Sequence, residues 1–437
     1  MTANHLLVVS VLLLGLMPAR ADWPDYRGPW ANGHASAPTD TKPVGLPIRW
    51  SETENVKWKT PLPHRGWSTP VILGGQIWLT TATEDGHDFF AICVDEKSGG
   101  ILFYEKLFHC ETPEPLGNEV NGYASPSVAL EQGRAYVHFG SYGTACLDTK
   151  SFRTIWKRDD LRCRHFRGPG SSPVLFKDLL ILTMDGIDLQ YLVALDKRTG
   201  KTVWKTDRTA EWNDLGADGT AERGGDFRKG FTTPLIIEAG GVTQLISPGS
   251  KAAYSYDPLT GRELWKVNTG GHSPATRALF DQGLVYFTAG SGKSEYFAVR
   301  PEGRGNVTDS HVVWRTPRGA PRLVSPVLVG NLLFLLGEGG VMRCVEAATG
   351  NEVWQERVGG EYYASPIYGD GQIYCCDLNG RTTVLKAGRA FEIVTTNALA
   401  DGFMASPAVA GKALILRTKK NLYRIEAGAP TRGSSSK

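Results

Sequence analysis

The sequence lacks most features that assign a function directly. After Met17 no apolar run approaches the roughly 20 residues that span a bilayer, so no transmembrane segment is expected in the mature chain. The net charge is only +3 and no basic stretch is concentrated enough to predict nucleic-acid binding. Cys-x-x-Cys-His is absent, which argues against an attached c-type haem. Phosphate-binding glycine loops and the Gly-x-Ser-x-Gly motif are absent too, and Ser-x-x-Lys occurs only in the low-complexity end Ser434–Lys437.

Glycine, proline and tryptophan are abundant instead. The 437 residues include 51 Gly, 25 Pro and 12 Trp, and 41% are hydrophobic. This composition is typical of a globular protein built from many short strands joined by tight turns.

The first 21 residues have the pattern of a secretory signal. An apolar run from Leu6 to Met17 is too short for a membrane span, and Ala19-Arg20-Ala21 provides a small-x-small cleavage pattern. The segment before the run lacks Lys and Arg, unlike most signals, and no Cys follows the cleavage point to carry a lipid. We therefore expect residues 1–21 to be removed and the protein to be exported, to the periplasm or the extracellular space.

Two markers recur along the rest of the chain. The first is a Ser or Thr before proline at the start of an apolar strand, at Thr69, Ser125, Ser172, Thr233, Ser273, Ser325, Ser365 and Ser406. The second is a tryptophan strand after an acid and a Thr-Gly turn, at Trp156, Trp204, Trp265, Trp314 and Trp354, with Tyr104 and Ile393 expected in the same place. The acid is expected to cap the turn, and the tryptophan to wedge between neighbouring units.

The markers predict an all-β, eight-bladed β-propeller of four-stranded antiparallel blades. The last unit lacks its fourth strand, whereas Asn55–Thr60, with Trp58, is an unpaired strand before the first unit. Joining the two closes the ring and removes an open sheet edge. The predicted divisions are a non-repeat lead-in at 22–54, the propeller at 55–427 and a disordered tail at 428–437.

The best-preserved repeat, Ala194–Trp204, resembles the PQQ-like (quinoprotein-type) β-propeller repeats of exported bacterial proteins. The lead-in from Asp22 to Pro29 also looks like the opening of a large group of uncharacterised PQQ-like repeat proteins. That family includes quinoprotein dehydrogenases and non-enzymatic scaffolds, such as the propeller subunit of the outer-membrane β-barrel assembly machinery. The resemblance therefore implies the fold and leaves the activity open.

The connections from the fourth strand of one blade to the first of the next vary most in length, so binding is expected on the face that they share. The longest is Lys205–Thr233. Basic and aromatic residues alternate just before the proline markers, and we predict that a central funnel is lined by His64, Arg65, Trp67, Asn121, Tyr123, His165, Arg167, Arg228, Lys229, His272, Arg322, Tyr362 and Tyr363. Such a funnel suits an anionic or planar ligand, such as a PQQ tricarboxylate, a carbohydrate, a nucleotide-like molecule or a peptide carboxylate. The alternative is that these are solvated loop residues or partners of the acidic Lys205–Thr233 loop.

Cysteine and histidine give weaker signals. Cys110 and Cys163 lie in consecutive connections on one face and could form a disulfide in an oxidising compartment. Methanol-dehydrogenase-like quinoproteins carry a vicinal disulfide, but Cys375 and Cys376 lie in a strand that points successive side chains to opposite faces. No local His spacing indicates a metal site. A calcium-bound PQQ is an allowed cofactor, although no motif places the carboxylates that it requires.

The prediction is therefore an exported, monomeric propeller that acts as a binding or scaffold protein through this loop-bearing face. Its partner would be a protein, or a small anionic or carbohydrate ligand. The alternative is a PQQ-dependent dehydrogenase of alcohols or sugars. A hydrolytic propeller acting on carbohydrate would require a pair of inward carboxylates about 5–10 Å apart.

Overall fold

A computed structural model describes residues 22–37, 39–117, 120–316 and 319–428. The predicted signal peptide, and residues 429–437 of the predicted tail, lie outside this part. The described chain forms eight sheets arranged as the blades of a propeller, which confirms the predicted fold class. In each blade, strands A to D follow one another from the central channel outwards.

Strand β1 (Val56–Pro61) comes first in the chain and belongs to the last blade. Blade 1 contains β2 (Val71–Leu73), β3 (Gln76–Ala82), β4 (Asp88–Asp95) and β5 (Ile101–His109). Blade 2 contains β6 (Ala129–Glu131), β7 (Arg134–His138), β8 (Thr144–Asp148) and β9 (Thr154–Arg158). Blade 3 contains β10 (Val174–Phe176), β11 (Leu179–Asp185), β12 (Gln190–Asp196) and β13 (Thr202–Asp207). A single 3₁₀ turn, Glu222–Gly225, lies in the loop that leads to blade 4.

Blade 4 contains β14 (Leu235–Ala239), β15 (Val242–Pro248), β16 (Ala252–Tyr256) and β17 (Glu263–Asn268). Blade 5 contains β18 (Leu279–Asp281), β19 (Leu284–Thr288), β20 (Tyr296–Val299) and, after an extended turn, β22 (Val312–Arg315). That turn carries β21 (Gly305–Asn306), which pairs in parallel with β17, and the helix α1 (Thr308–His311). Blade 6 contains β23 (Val327–Val329), β24 (Leu332–Leu336), β25 (Val341–Glu346) and β26 (Glu352–Arg357). Blade 7 contains β27 (Ile367–Gly369), β28 (Gln372–Cys376), β29 (Arg381–Lys386) and β30 (Ile393–Ala398).

Blade 8 closes the ring from both ends of the chain. It contains β31 (Ala408–Ala410), β32 (Ala413–Arg417) and β33 (Asn421–Ile425), and β1 pairs antiparallel with β33 as its outermost strand. No helix in the described ranges is long and apolar enough to cross a membrane.

Six of the eight blades are fastened to the next blade by a tryptophan of the repeat that the sequence shows. In blade 3 the carboxylate of Asp196 accepts the backbone N–H groups of Arg198 and Thr199 at 3.1 and 2.8 Å, which caps the turn. Gly200 follows with φ of 72°, and a Cβ there would lie 2.7 Å from the ring of Trp156 in blade 2. The Trp156 indole donates to the carbonyl of Lys197 at 3.1 Å. Equivalent indole bonds to the next blade are made by Trp58, Trp204, Trp265, Trp314 and Trp354.

Two predicted members of the tryptophan series were wrong by one or two residues. Trp204 lies opposite Ala194 in the sheet, and the residue opposite the equivalent Cys93 in blade 1 is Phe103, not Tyr104. In blade 7 the position belongs to Thr395 and not to Ile393. In both blades a β-bulge lies between the turn and the position that tryptophan occupies elsewhere. Counting residues from the turn without allowing for the bulge therefore gives the wrong residue.

A belt of hydroxyl groups joins the inner strands around the channel. We call Thr69, Ser127, Ser172, Thr233, Ser325, Ser365 and Ser406 the hydroxyl belt. Six backbone N–H groups donate to hydroxyl oxygens of the following blade at 2.8–3.0 Å. Each such bond contributes about 1 kcal/mol. In blade 2 the belt residue is Ser127 rather than the predicted marker Ser125, and in blade 5 it is replaced by Arg277, whose N–H donates to Ser325.

We call residues 22–37 and 39–50 the plug, because the first part of this segment closes one end of the channel. They meet the turns between strands A and B, where Trp23 exchanges two backbone hydrogen bonds with Ile72 at 2.7 and 2.8 Å. Farther along, the Asp370 carboxylate accepts the backbone N–H groups of Val44, Gly45 and Leu46 at 2.6–2.9 Å. Between these anchors the tip of the plug, Asp25 to Arg27, reaches into the channel.

Two buried arginines hold the tip. The Arg27 guanidinium donates to the carbonyls of Pro326 and Pro366, at the start of two inner strands. The Arg277 guanidinium donates to the Pro234 carbonyl at 3.1 Å, to the Asp25 carboxylate at 3.0 Å and to the carbonyl of Tyr26. Arg277 therefore interrupts the hydroxyl belt at the place where the plug is attached.

Candidate functional site

The loops from strand D to the next strand A surround a cavity of about 490 Å³ at the other end of the channel. The tip of the plug supplies its floor through Tyr26, whose hydroxyl lies 3.4 Å from Ser325 and 3.5 Å from Ser365. Five belt residues form part of the lower wall: Thr69, Ser127, Ser172, Thr233 and Ser406. The cavity is therefore closed below and opens towards the loop face.

Seven of the thirteen predicted funnel residues line this cavity: Trp67, Asn121, Arg167, Lys229, His272, Arg322 and Tyr363. His64 and Arg65 line an adjoining groove of about 590 Å³, which we call the mouth groove. The mouth groove shares Trp67, Val120, Tyr363 and Met404 with the cavity and continues to Glu84, Leu378, Lys419 and Lys420. The structure thus brings nine of the predicted residues to one continuous recess.

The other four predicted residues serve the surrounding structure. The Tyr123 hydroxyl donates to the carbonyl of Glu114 at 2.7 Å, and Tyr362 is buried in the core between blades 6 and 7. His165 is buried and accepts the N–H of Ser141 at 3.0 Å. Arg228 pairs with Asp214 inside the Lys205–Thr233 loop, with a shortest distance of 2.5 Å. Their lining role is thus unsupported by the observed contacts.

A partly buried carboxylate, that of Asp226, organises the charged wall of the cavity. Asp226 receives Nε and Nη2 of Arg167 at 3.1 and 3.0 Å, and its carboxylate also contacts the ammonium group of Lys229. The Lys229 ammonium group donates to the backbone carbonyl of Asp226 at 2.7 Å. Burial, and then the positive charge of Arg167, lower the pKa of Lys229 to about 7. Two cations and one carboxylate leave a net positive charge here below neutral pH.

His272 lies on the same wall in a positive field. Its ring centroid is 4.2 Å from that of Phe227, and its Nδ1 is 3.1 Å from the Ser273 hydroxyl. Burial lowers its pKa to about 4, and the nearby cations Lys229, Lys251, Arg223 and Arg322 add to the shift. The imidazole is therefore neutral at pH 7.

Arg322 is the most accessible cation of the cavity. Its Nε lies 3.5 Å from Glu338, and nearly half of its side chain is exposed. Glu338 is held in place because its other oxygen accepts the backbone N–H groups of Arg322 and Leu323, both at 2.7 Å. In the mouth groove Arg65 lies 4.8 Å from the centroid of the Trp67 ring, a cation–π distance.

The structure supplies no activated nucleophile among the described groups closest to the cavity. The pair nearest to such an arrangement is Cys163 and His165, with 3.6 Å between Sγ and Nε2. Burial raises the pKa of the Cys163 thiol and lowers the pKa of His165 to about 4. Both groups are therefore neutral at pH 7, and thiolate chemistry is disfavoured.

All seven cysteines are unbonded, including the predicted pair Cys110 and Cys163. Cys163 packs in the core between blades 2 and 3, and Cys110 packs against the core between blades 1 and 2, so each thiol faces a different interface. Cys375 and Cys376 likewise point into successive cores, as strand alternation predicts.

Calcium-bound PQQ fits the described lining only in part. The cations could meet an organic polyanion, but the single carboxylate among the described cavity residues, Asp226, is already engaged by Arg167 and Lys229. No cluster of three His, Cys, Asp or Glu residues suited to a metal occurs in the described ranges. The oxygen ligands that calcium prefers are thus missing from this part of the lining.

The belt hydroxyls, Tyr26 and Asp226 were not predicted as site residues. The Ser/Thr-Pro marker was interpreted only as a strand start, although a hydroxyl repeated in register around a ring is a signal for inward-facing donors. Asp226 lies three residues before Lys229, and the acidic character of its loop was noted without a position for the carboxylate. Tyr26 has no repeat partner, so no pattern could place it.

Both the sequence and the fold of this chain are similar to those of known proteins. The family model of the outer membrane protein assembly factor BamB matches residues 249–362 and 306–390. This match and the similar structures described below support a PQQ-like β-propeller family for the chain. A curated relative, outer membrane protein assembly factor BamB of Yersinia pestis, is 21% identical over 208 residues. The match covers 44% of this chain and 48% of that protein. The match therefore spans about half the length of the curated relative.

Solved structures share the fold at low identity. The propeller aligns with quinohemoprotein alcohol dehydrogenase from Comamonas testosteroni with a TM-score of 0.66 and 11% identity, over 95% of this chain and 82% of the other. BamB from Moraxella catarrhalis aligns with a TM-score of 0.58 and 12% identity, over 84% of this chain and 99% of the other. A europium-containing methanol dehydrogenase aligns with a TM-score of 0.56 and 12% identity, over 94% of this chain and 90% of the other.

Proposed function

We propose that this propeller is an exported, non-catalytic binding protein that holds an acidic segment of a partner protein on its loop face. One observation carries the proposal: the charge of the recess. The cavity and mouth groove together are lined by six cationic residues, Arg65, Arg167, Lys229, Arg322, Lys419 and Lys420. Among the described residues, the same lining includes two acidic residues, Glu84 and Asp226. An excess of positive charge in a concave site attracts and orients an acidic partner.

The shape of the recess favours a chain over a compact metabolite. The mouth groove leads out of the cavity past Trp67 and Tyr363 towards Lys419 and Lys420. A segment several residues long can lie along such a groove, with aromatic faces for its side chains and cations for its carboxylates. The relatives named as outer membrane protein assembly factors are in keeping with a role in holding other proteins.

A quinoprotein dehydrogenase is the second candidate, because two aligned structures are dehydrogenases of that kind. It requires PQQ to bind in the same cavity. Titration with PQQ and Ca²⁺, followed by absorbance and by dye-linked oxidation of alcohols and sugars, distinguishes the two candidates. Saturable binding with turnover would replace the scaffold proposal by this one.

The direct test of the scaffold proposal is fluorescence anisotropy with two labelled twelve-residue peptides of equal length, one rich in Glu and one rich in Lys. We expect the acidic peptide to bind and the basic one not to bind. The affinity for the acidic peptide should fall as salt is raised.

A pair of charge reversals locates the binding. Lys420→Glu changes an exposed lysine of the mouth groove, and Lys177→Glu changes an exposed lysine at the A–B turn of blade 3, on the opposite face. Both variants change the net charge equally. Only Lys420→Glu should weaken binding; equal weakening by both would show a non-specific charge effect and would reject the loop face as the site.

A further inference from the structure

The cavity is a dead end for a bound chain. The plug occupies the channel from the A–B side, and Tyr26 closes the floor between the inner strands of blades 6 and 7. The hydrogen bonds of Arg27 and Arg277 fix the tip of the plug at this level. A polypeptide that enters from the loop face can therefore only stop in the cavity or turn back.

We infer that the cavity receives the free C-terminal end of the partner's acidic segment and binds its terminal carboxylate. This inference rests on the proposed function and specifies which part of the partner enters the cavity. Turning back would require two strands side by side, about 4.8 Å apart, together with their side chains. A cavity of about 490 Å³ offers room for a chain end more readily than for such a hairpin.

The hydroxyl belt provides donors for a carboxylate. The oxygens of Ser127, Ser172 and Thr233 each accept a backbone N–H at 2.9 Å. A hydroxyl that accepts in this way keeps its own hydrogen for donation. All three residues line the cavity, so their hydrogens are available to a ligand oxygen at its lower wall.

The cations complete the recognition of a negative chain end. Arg322 is half exposed at the wall, and its contact with Glu338 is long, at 3.5 Å, so its planar group can turn to a ligand carboxylate. Arg167 and Lys229 carry one charge more than Asp226 neutralises while Lys229 is protonated. Charge-assisted hydrogen bonds of this kind are about twice as strong as neutral ones.

The apolar part of the cavity wall indicates which side chain the C-terminal residue of the partner segment carries. Val120, Phe231, Ala275, Leu323 and Met404 line the same cavity. They form an apolar surface beside the donors, as small-ligand sites commonly do. The preferred C-terminal residue is therefore apolar, and the residues before it, which lie over the mouth groove, are acidic.

The test uses one fluorescein-labelled octapeptide, Gly-Ser-Glu-Asp-Glu-Ser-Ala-Leu, as the free acid and as the C-terminal amide. Both are titrated into the whole mature protein and followed by anisotropy. We expect the acid to bind at least about tenfold more tightly, because the amide cannot accept the charge-assisted hydrogen bonds that the terminal carboxylate accepts.

Two variants separate the cavity from the groove. Arg322→Gln should reduce the acid-to-amide affinity ratio, because it removes a cation at the chain end. Lys420→Gln should weaken acid and amide by the same factor and leave the ratio unchanged.

The outcomes separate this inference from the proposed function. If acid and amide bind equally well, the terminal carboxylate is not recognised and the inference is overturned, while the proposed acidic-segment binding stands. If neither form binds and the acidic twelve-residue peptide also fails, the proposed function itself is wrong.

Discussion

Arginine has different roles at the two ends of the channel. At the plugged end Arg27 and Arg277 are buried, and protein carbonyls and Asp25 occupy their guanidinium groups. At the open end Arg322 is half exposed and weakly paired. The same side chain thus holds the structure together at one end and faces solvent and ligand at the other. Burial and the number of fixed partners, rather than residue type, separate a structural cation from a binding cation.

The largest expected effect comes from removing Arg277, the arginine of blade 5 that holds the tip of the plug. Arg277→Ala leaves the Asp25 carboxylate without its counterion and the Pro234 and Tyr26 carbonyls without a donor. Arg277 is buried but Asp25 keeps 27% of its side chain exposed, so we expect a loss of about 3 kcal/mol, at the lower end of the range for one partner of a buried pair. Chemical denaturation should give the variant a free energy of unfolding that is lower by about this amount, with a correspondingly lower midpoint.

Arg322→Ala is the matched control for Arg277→Ala. It removes the same side chain from the open end, where exposed ion pairs contribute about 0–1 kcal/mol. A stability loss as large as that of Arg277→Ala would contradict the contrast between the two ends.

The next effect is on binding rather than on stability. Arg322→Ala should lower the affinity for the acidic peptide about tenfold, which corresponds to the loss of about 1.4 kcal/mol from a hydrogen bond to a charged group. Anisotropy titration measures this. Arg158→Ala, on an outer strand and paired with Asp160, provides the comparison at a remote arginine and should leave the affinity unchanged.

A smaller effect is expected from pH. The pKa of Lys229 is lowered to about 7, so its positive charge is complete below that pH and is lost above it. His272, with a pKa lowered to about 4, stays neutral throughout. The affinity for the acidic peptide should therefore fall severalfold between pH 6 and pH 8.5.

Lys229→Gln tests the origin of that pH dependence. The variant should bind more weakly at pH 6 and show a flat profile up to pH 8.5. If the profile of the variant still falls, another group is responsible for the titration.

The smallest effect is expected at the floor of the cavity. Tyr26→Phe removes a hydroxyl whose contacts to Ser325 and Ser365 are long, at 3.4 and 3.5 Å. The free energy of unfolding, measured by thermal denaturation, should change by less than about 1 kcal/mol, because hydrogen bonds of this length contribute little. A large loss would mean that the tip of the plug depends on this hydroxyl and not on the arginines.

The repeat allowed the ring to be predicted because its signals are local. In the best-preserved repeats an acid, a turn glycine and a tryptophan recur at fixed spacing; the acid caps its own turn, and the glycine packs against the tryptophan of the preceding blade. The Pro marker was less exact: Ser125 and Ser273 precede proline, but the belt positions are Ser127 and Arg277. Strand register follows the hydrogen bonds between blades, and proline does not determine it.

The site was predicted in part for a similar reason. The loops before each inner strand were located correctly, but neighbouring residues in an extended segment point in opposite directions. Tyr362 enters the core while Tyr363 faces the cavity, and Arg228 pairs within its loop while Lys229 faces inwards. The lead-in could be predicted only to lie along the propeller surface or over one end of the channel, because its contacts with the inner strands are far apart in sequence and have no repeat.

Hydrogen exchange of the protein with and without saturating acidic peptide tests the central claim most directly. The loop face, including residues 225–233 and 319–324, should exchange more slowly in the complex, while the A–B turns and the plug should be unchanged. Slower exchange confined to the A–B turns and the plug, with none in the loops, would contradict the assignment of the open, basic end as the binding face.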